Sequence, residues 1–135
     1  MKTLKKKILK LLLFVCFSLS VAIITFASDL PSPPSRPNPF DIEADRCQLR
    51  FKNPISSGAS IIQRYRIEYQ SEKEGIWRLE RTIKSQFAID DIMQSDIDNR
   101  VGEDPVIFRV FAQNSYGRSA PSATSNPIIF RDPFK

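Results

Sequence analysis

Histidine is absent from this chain, and cysteine occurs only twice in its 135 residues. Without histidine the chain lacks the side chain that most often serves as a general base and as a metal ligand. Cys16 lies in an apolar N-terminal run and Cys47 in the body, so the body has no cysteine pair for an internal disulfide. Nucleophilic catalysis by a Ser–His or Cys–His pair is therefore excluded, and the hydrophobic core alone must hold the body together.

The sequence also lacks a motif for a metal ion or an organic cofactor. The acidic residues are densest over one stretch, at Asp90, Asp91, Asp96, Asp98, Glu103 and Asp104. A calcium loop needs six or more oxygen ligands, with a glycine and a distal glutamate at fixed positions. Neither follows at that spacing. We therefore expect a solvated acidic loop, no metal, no cofactor and no enzymatic activity.

The formal net charge of +5 belongs to the N-terminus. Residues 1–27 hold five of the 20 cationic residues and none of the 15 acidic residues, so the rest of the chain carries equal numbers of both. Binding to nucleic acid requires a clustered positive surface that neutralises phosphates. The body has no such cluster in its sequence, which excludes nucleic acid as the expected partner.

Residues 1–10 contain the five lysines, and residues 11–27 follow without a charge. This pattern predicts an apolar signal helix, with cleavage after Ala27 or, as a second choice, after Ala22. An uncleaved signal-anchor is the alternative, because 17 apolar residues are at the short end for spanning a bilayer. Either outcome leaves the lysines in the cytosol and exports the body. We therefore predict a secreted protein, or one anchored in the membrane only through this segment.

Five prolines between residues 31 and 39 predict an extended linker over residues 28–39, since proline disrupts both helices and central strands. Beyond the linker, apolar and polar residues alternate in short runs that are separated by turn signals. Residues 65–69 and 106–112 are two such runs. Six or seven short strands with one apolar face predict two antiparallel sheets packed face to face. In this all-β sandwich Cys47 faces the core.

The order of these residues resembles a fibronectin type III domain over residues 31–134. Residues 49–54 are similar to strand B of that family, and residues 58–69 to its B–C loop and strand C. The strongest likeness lies in residues 108–122, which resemble strand F, the F–G loop and the start of strand G. The resemblance implies a seven-stranded immunoglobulin-like β-sandwich over residues 40–134 that has no catalytic activity.

The chain departs from the family pattern at three places. Phe51 replaces the tryptophan of strand B but keeps an aromatic residue in the core. Val106 replaces the tyrosine that ties the E–F corner in the family. With Ile92 in the position of the corner leucine, residues 93–105 are predicted to form an insertion in the E–F loop.

Strand alternation places arginine and apolar side chains together on the outer side of the sheet that holds strands C and F. The predicted outward residues are Arg64, Arg66, Ile107, Arg109 and Phe111. The F–G loop adds two large side chains, Tyr116 and Arg118. Arginine beside exposed aromatic residues is enriched in the centres of interfaces, whereas arginine stems that merely cover scattered apolar residues are the alternative. These seven residues are the candidate binding site for an unidentified extracellular protein.

The sequence thus predicts a secreted or cell-surface module for protein recognition or adhesion. The alternative is a truncated link of a larger adhesion or muscle-type structural protein, because residues 126–134 resemble module ends in titin- and twitchin-type arrays. The chain contains no Arg-Gly-Asp motif, so the resemblance does not imply integrin binding through it. It also contains no N-glycosylation sequon, so we expect neither surface to carry an N-glycan.

Overall fold

The computed structural model of the chain describes residues 1–10, 29–86, 89–100, 102–131 and 134. Residues 2–10 are helical. The predicted apolar signal segment and its two cleavage positions fall within residues 11–27, outside the described ranges. Within those ranges, no helix is long and apolar enough to cross a bilayer.

Seven β-strands form the body within the described residues. They are β1 (Asn38–Phe40), β2 (Cys47–Lys52), β3 (Arg64–Ser71), β4 (Trp77–Lys84), β5 (Ile92–Ile97), β6 (Gly102–Gln113) and β7 (Ile128–Phe130). All pairs are antiparallel, and they build a three-stranded sheet in the order β1-β2-β5 and a four-stranded sheet in the order β4-β3-β6-β7. The prediction of an all-β sandwich with two sheets is confirmed.

The core lies between the two sheets and follows the predicted alternation of the strands. In β2 the buried residues are Cys47, Leu49 and Phe51, each at most 2% exposed. The rings of Phe51 and Tyr65 meet edge to face across the sheets, with centroids 5.2 Å apart and planes at 65°. Such pairs contribute about 0.5–1.5 kcal/mol beyond the burial of their area. Phe51 therefore joins the two sheets as an aromatic core residue.

The predicted E–F insertion at residues 93–105 is wrong. Residues 92–97 form β5, which pairs with β2 from Lys52 opposite Ile92 to Cys47 opposite Ile97. The next strand begins at Gly102, so only a short link joins β5 to β6. The inward positions of β5 are Met93, Ser95 and Ile97. Because a buried serine interrupts the apolar alternation, this strand was not recognisable from its sequence.

Arg100 holds the link between β5 and β6 against the rest of the domain. Its backbone N–H donates a hydrogen bond to the carbonyl oxygen of Asp45 at 2.7 Å. Its guanidinium carbon lies 3.5 Å from the ring centre of Tyr69 in β3, and the same group forms an ion pair with Glu80 in β4. The side chains of Arg100 and Glu80 are only 18% and 10% exposed. Arg100 therefore fixes the connection between β5 and β6, in a chain that has Val106 where fibronectin type III domains have the corner tyrosine.

The segment predicted as a linker over residues 28–39 is part of the domain from Asp29 onward. Pro31, Pro34 and Pro37 are buried, and β1 begins at Asn38. Proline-rich extended backbone has three residues per turn, so every third residue, here a proline, faces the body. The expectation of a free spacer is therefore corrected, since prolines exclude helices and central strands but do not exclude packing against a domain.

Hydrogen bonds fasten this segment, which we call the N-terminal clasp (residues 29–35), to residues 52–59. Ser32 donates its backbone N–H to the carbonyl oxygen of Ser56 at 2.9 Å, and the hydroxyl of Ser32 accepts from the N–H of Ser56 at 3.0 Å. The N–H of Ala59 donates to the carbonyl oxygen of Asp29 at 3.2 Å. The clasp therefore lies against the connection between β2 and β3.

Three serines attach the segment between β6 and β7 to β6. Each of Ser119, Ser122 and Ser125 donates its N–H to a carbonyl oxygen of β6, at 2.8–2.9 Å, and its hydroxyl accepts the N–H of that same residue at 2.9–3.0 Å. The β6 partners are Ala112, Val110 and Phe108, in that order. The serines recur every three residues and their partners every two. The segment is therefore more contracted than a strand, and regular pairing resumes only at β7.

Candidate functional site

The candidate site occupies the solvent side of the four-stranded sheet, which we call the outer face. Tyr65 and Ile67 of β3 are fully buried in the core, so their neighbours Arg66 and Glu68 point away from it. The pairing of β3 with β6 sets Arg66 opposite Phe111 and Glu68 opposite Arg109. Residues opposite each other in an antiparallel pair share a face, so the predicted outward pattern of both strands is correct.

Glu68 lies at the centre of the outer face between two arginines. Its carboxylate accepts hydrogen bonds from Arg66 Nε and from Arg109 Nε, each at 2.8 Å, and Arg109 Nη2 forms an ion pair with it at 2.7 Å. Glu68 is only 6% exposed. Burial by itself would raise the pKa of Glu68, but the hydrogen bonds from Arg66 and Arg109 outweigh it and hold the pKa below its ordinary value. The carboxylate is therefore a buried anion that both cations neutralise.

Guanidinium groups and aromatic rings alternate across the outer face in what we call the cation–aromatic stack. Arg109 lies 4.1 Å from the ring centre of Trp77 and 5.0 Å from that of Phe111. Arg118 lies 4.5 Å from the ring centre of Phe111. Each contact of this kind is worth about 0.5–2 kcal/mol, and more when it is desolvated. The stack connects β4, β6 and the chain that follows β6 into one rigid surface.

Phe111 is not the exposed aromatic residue that the sequence predicts. It points outward, outside the core cluster, but is only 5% exposed because Arg109 and Arg118 cover its ring. Arginine stems and guanidinium groups commonly cover apolar surface in this way. Tyr116, which is 62% exposed, is the aromatic side chain that remains open at this end of the outer face.

The structure brings four of the seven candidate residues together and places a fifth, Ile107, elsewhere on the sheet. Arg66, Arg109, Phe111 and Arg118 form the connected centre described above. Ile107 pairs with Gln70 toward the other end of β6. It lines a separate depression of about 410 Å³ whose other lining residues are Gln70, Ser71, Glu72, Gly75, Pro105 and Pro127. Ile107 therefore does not belong to the same patch.

A row of exposed cations crosses the end of the outer face near residues 114–119, the predicted F–G loop, which we call the F–G turn. Arg64 in β3 stands opposite Lys84 in β4 and opposite Gln113 in β6, and Gln113 stands opposite Arg118. We call Lys84, Arg64 and Arg118, with Gln113 between the two arginines, the cationic row. All three cations are exposed, and among the described residues none of them has a carboxylate partner.

Lys84 and Gln113 are site residues that the sequence did not reveal. They become neighbours of Arg64 and Arg118 only through the pairing of β3 with both β4 and β6. That pairing includes a bulge, because Ile67 pairs with Arg81 and Glu68 pairs with Leu79. Since a bulge changes which residues stand opposite each other, alternation within single strands could not show the row.

The F–G turn holds Tyr116 and Arg118 in place through the side chain of Asn114, which is 2% exposed. Asn114 Oδ1 accepts hydrogen bonds from the backbone N–H groups of Tyr116 at 2.9 Å and Gly117 at 3.1 Å. Its Nδ2 donates to the carbonyl oxygens of Asp29 at 2.7 Å and Ser57 at 3.0 Å. One buried amide thus joins the F–G turn to the N-terminal clasp and to the loop between β2 and β3.

Cys47 offers no reactive thiol. It is 2% exposed, and burial raises the pKa of its thiol to about 11. The thiolate is the nucleophilic form of cysteine, and it is therefore scarce at neutral pH. Within the described ranges, no group of three or more cysteine, aspartate or glutamate side chains could hold a metal ion.

Fold and face together define a module that resembles fibronectin type III and immunoglobulin-like domains. A fibronectin type III domain of human fibronectin type III domain containing protein 3 superposes with a TM-score of 0.61 at 20% identity, over 77% of this chain and 89% of that one. No family model matches the chain.

The sequence relatives include titin and myosin-binding protein C. Titin of Drosophila melanogaster is 37% identical over 98 residues. The match covers 73% of this chain, whereas its share of that protein rounds to 0%. A crystal structure of domains from titin superposes with a TM-score of 0.68 at 28% identity, covering 77% of this chain and 33% of that one. The chain therefore resembles a single titin-like module and spans a very small share of the curated relatives it matches.

Proposed function

We propose that this chain is exported and serves as a recognition or adhesion module, binding another extracellular protein through the outer face near the F–G turn. The observation that carries the proposal is the exposure of Arg64, Tyr116 and Arg118 on a rigid frame. Arginine and tyrosine are enriched among the residues that dominate binding energy at interfaces. The cation–aromatic stack and the Asn114 side chain fix that frame before any partner arrives, which lowers the entropic cost of binding.

The experiment is affinity capture from extracellular extracts with the full chain as bait, followed by mass spectrometry. We expect Arg64→Ser combined with Tyr116→Ser to lose the specific partners. Lys52→Ser, an exposed cation on the three-stranded sheet, is the matched control and should keep them. Recovery of the same partners by the double variant would show that this end of the outer face is not the interface.

Export is supported by the sequence of residues 1–27, with lysines followed by an uncharged run. Expression in cultured animal cells tests it. A secreted protein whose N-terminal sequence begins at Ser28 or Ile23 supports a cleaved signal peptide. Retention in membranes that resist carbonate extraction supports the signal-anchor. Accumulation as a free cytosolic protein would contradict export in both forms.

A second candidate function is structural, as one link in a larger multi-module protein. The support is the likeness to titin of Drosophila melanogaster, of which this chain spans only a very small share. Sequencing the transcript in both directions separates the two proposals. Further modules in the same reading frame favour the structural link, and stop codons on both sides of this chain favour a standalone module.

A further inference from the structure

We propose that the cationic row binds a carboxylate-rich segment of the protein partner, so that the partner of this module is acidic at the point of contact. This inference rests on the proposed function, because it names the chemistry recognised by the same end of the outer face. The seven candidate residues did not include Lys84, and the partner's charge follows only from the row as a whole.

The row is continuous because four neighbouring backbone segments contribute to it. Lys84 stands opposite Arg64, Arg64 opposite Gln113, and Gln113 opposite Arg118. Neighbouring strands lie about 4.8 Å apart, so the two arginines are separated by about 10 Å and the whole row extends about 14 Å. Arg118 points along the outer face, since its guanidinium lies over Phe111. The three cations therefore face one side of the domain in one line.

Nothing among the described residues neutralises the row. The six ion pairs of the described chain join other cations to carboxylates, and the two nearest arginines on the outer face, Arg66 and Arg109, share Glu68. The adjoining loop, residues 53–63, contains no charged residue. Asp90 and Asp91 follow Lys84 in sequence but lead into β5 of the other sheet. The cationic row is therefore unpaired among the described residues and lies beside a loop, residues 53–63, that has no charged residue.

The side chains of the row are suited to binding carboxylates. The planar fork of arginine pairs with carboxylate in a bidentate manner, and the amide of Gln113 between the arginines can donate to a third oxygen. Tyr116 lies two residues before Arg118 in the turn and is exposed, which provides an aromatic contact typical of protein interfaces.

The test measures binding of a fluorescein-labelled decaglutamate peptide to the full chain in zwitterionic detergent, by fluorescence anisotropy. Decaglutamine and a heparin-derived decasaccharide are the comparison probes. We expect decaglutamate to bind, with an affinity that falls as salt rises, and decaglutamine not to bind. The variant Arg64→Glu/Lys84→Glu should bind decaglutamate at least tenfold more weakly. Arg36→Glu/Lys52→Glu, with the same charge change outside the row, should bind like the wild type.

Three outcomes would overturn the inference. Decaglutamate binds no better than decaglutamine, or the row variant binds it as well as the wild type does, or only the heparin decasaccharide binds through the row. The thermal midpoints of both double variants must match that of the wild type, and Arg64→Gln/Lys84→Gln replaces the row variant if they do not. If affinity capture yields partners that bind the row variant as well as the wild type, the proposed function stands and this inference fails. If it yields no partner, the proposed function fails by itself.

Discussion

Arg109 donates a hydrogen bond from Nε to one carboxylate oxygen of Glu68 at 2.8 Å, and its Nη2 forms an ion pair with the same oxygen at 2.7 Å, in the middle of a sheet face. Glu68 is almost completely buried although it points away from the core. A charge removed from water in this way is tolerated only when its partners stay in place. The outer face therefore depends on this pair, and its rigidity is sensitive to a single substitution.

Replacing Arg109 with methionine should lower the free energy of unfolding by about 2–3 kcal/mol. The variant keeps an apolar stem between Trp77 and Phe111 but leaves Glu68 with Arg66 alone. Urea unfolding followed by the emission of Trp77, the only tryptophan, measures the change. Arg50→Met removes a guanidinium that lies 4.3 Å from the Phe40 ring and has no carboxylate partner among the described residues, and it should cost about 0.5–1 kcal/mol. Equal losses in the two variants would contradict a dominant role for Glu68.

The depressed pKa of Glu68 predicts how stability varies with acidity. Since the folded state binds this proton less readily than the unfolded state, the contribution of Glu68 is complete above the unfolded pKa of about 4.3. It is lost as the pH falls through the folded pKa. Urea unfolding at pH 7, 4 and 3 should show wild type and Glu68→Gln converging in stability as the pH falls. A constant difference between them across this range would rule out the titration of Glu68 as its source.

Arg100→Ala should lower the free energy of unfolding by about 2–3 kcal/mol, because it leaves Glu80 nearly buried without its cation and removes the contact with Tyr69. Chemical denaturation measures the loss. Arg78→Ala is the matched control, since the ion pair of Arg78 with Glu74 is exposed, and its stability should be unchanged. An Arg100→Ala variant as stable as Arg78→Ala would show that the link between β5 and β6 is held by other contacts.

Gly58→Ala should be far more destabilising than Gly75→Ala, although both glycines have positive φ, at 77° and 66°. A methyl group on Gly58 would lie 2.4 Å from the carbonyl oxygen of Asp29 and 2.7 Å from backbone atoms of Leu30, whereas Gly75 has open space. The backbone conformation alone costs about 1 kcal/mol in each variant. Thermal unfolding compares them, and equal midpoints would show that the N-terminal clasp moves aside freely.

The strands with regular alternation could be predicted from the sequence, and two segments could not. Alternation identified β2, β3 and β6 because their inward residues are apolar at every second position. It missed β5, where Ser95 occupies an inward position. It also missed the role of the clasp, because prolines that pack every third residue give no strand or helix period. Both failures have the same cause. In β5 and in the clasp, a residue is buried because another part of the domain packs against it, and the local sequence pattern does not reveal that contact.

The candidate site was predictable as a face but not as a set of contacts. Strand alternation placed Arg66 and Arg109 outward correctly, yet it could not show that both bind Glu68 or that Phe111 is covered. Those facts depend on which residues stand opposite each other in three strands. Lys84 entered the site for the same reason. Exposure therefore separates Arg66, Arg109 and Phe111 from Arg64, Tyr116 and Arg118, which are more exposed, although Arg118 also covers the ring of Phe111.

The hydrogen bonds of the N-terminal clasp lie ahead of β1 in the chain, so a pull on the N-terminal side reaches them first. A pull on the chain ahead of Asp29 first loads the bonds of Asp29 with Ala59 and of Ser32 with Ser56, before the pairing of β1 with β2 bears any load. The buried amide of Asn114 joins the same point to the F–G turn. Tension along the chain would thus strain the turn that carries Tyr116 and Arg118, and under the proposed function stretching of the protein would then affect binding of the partner.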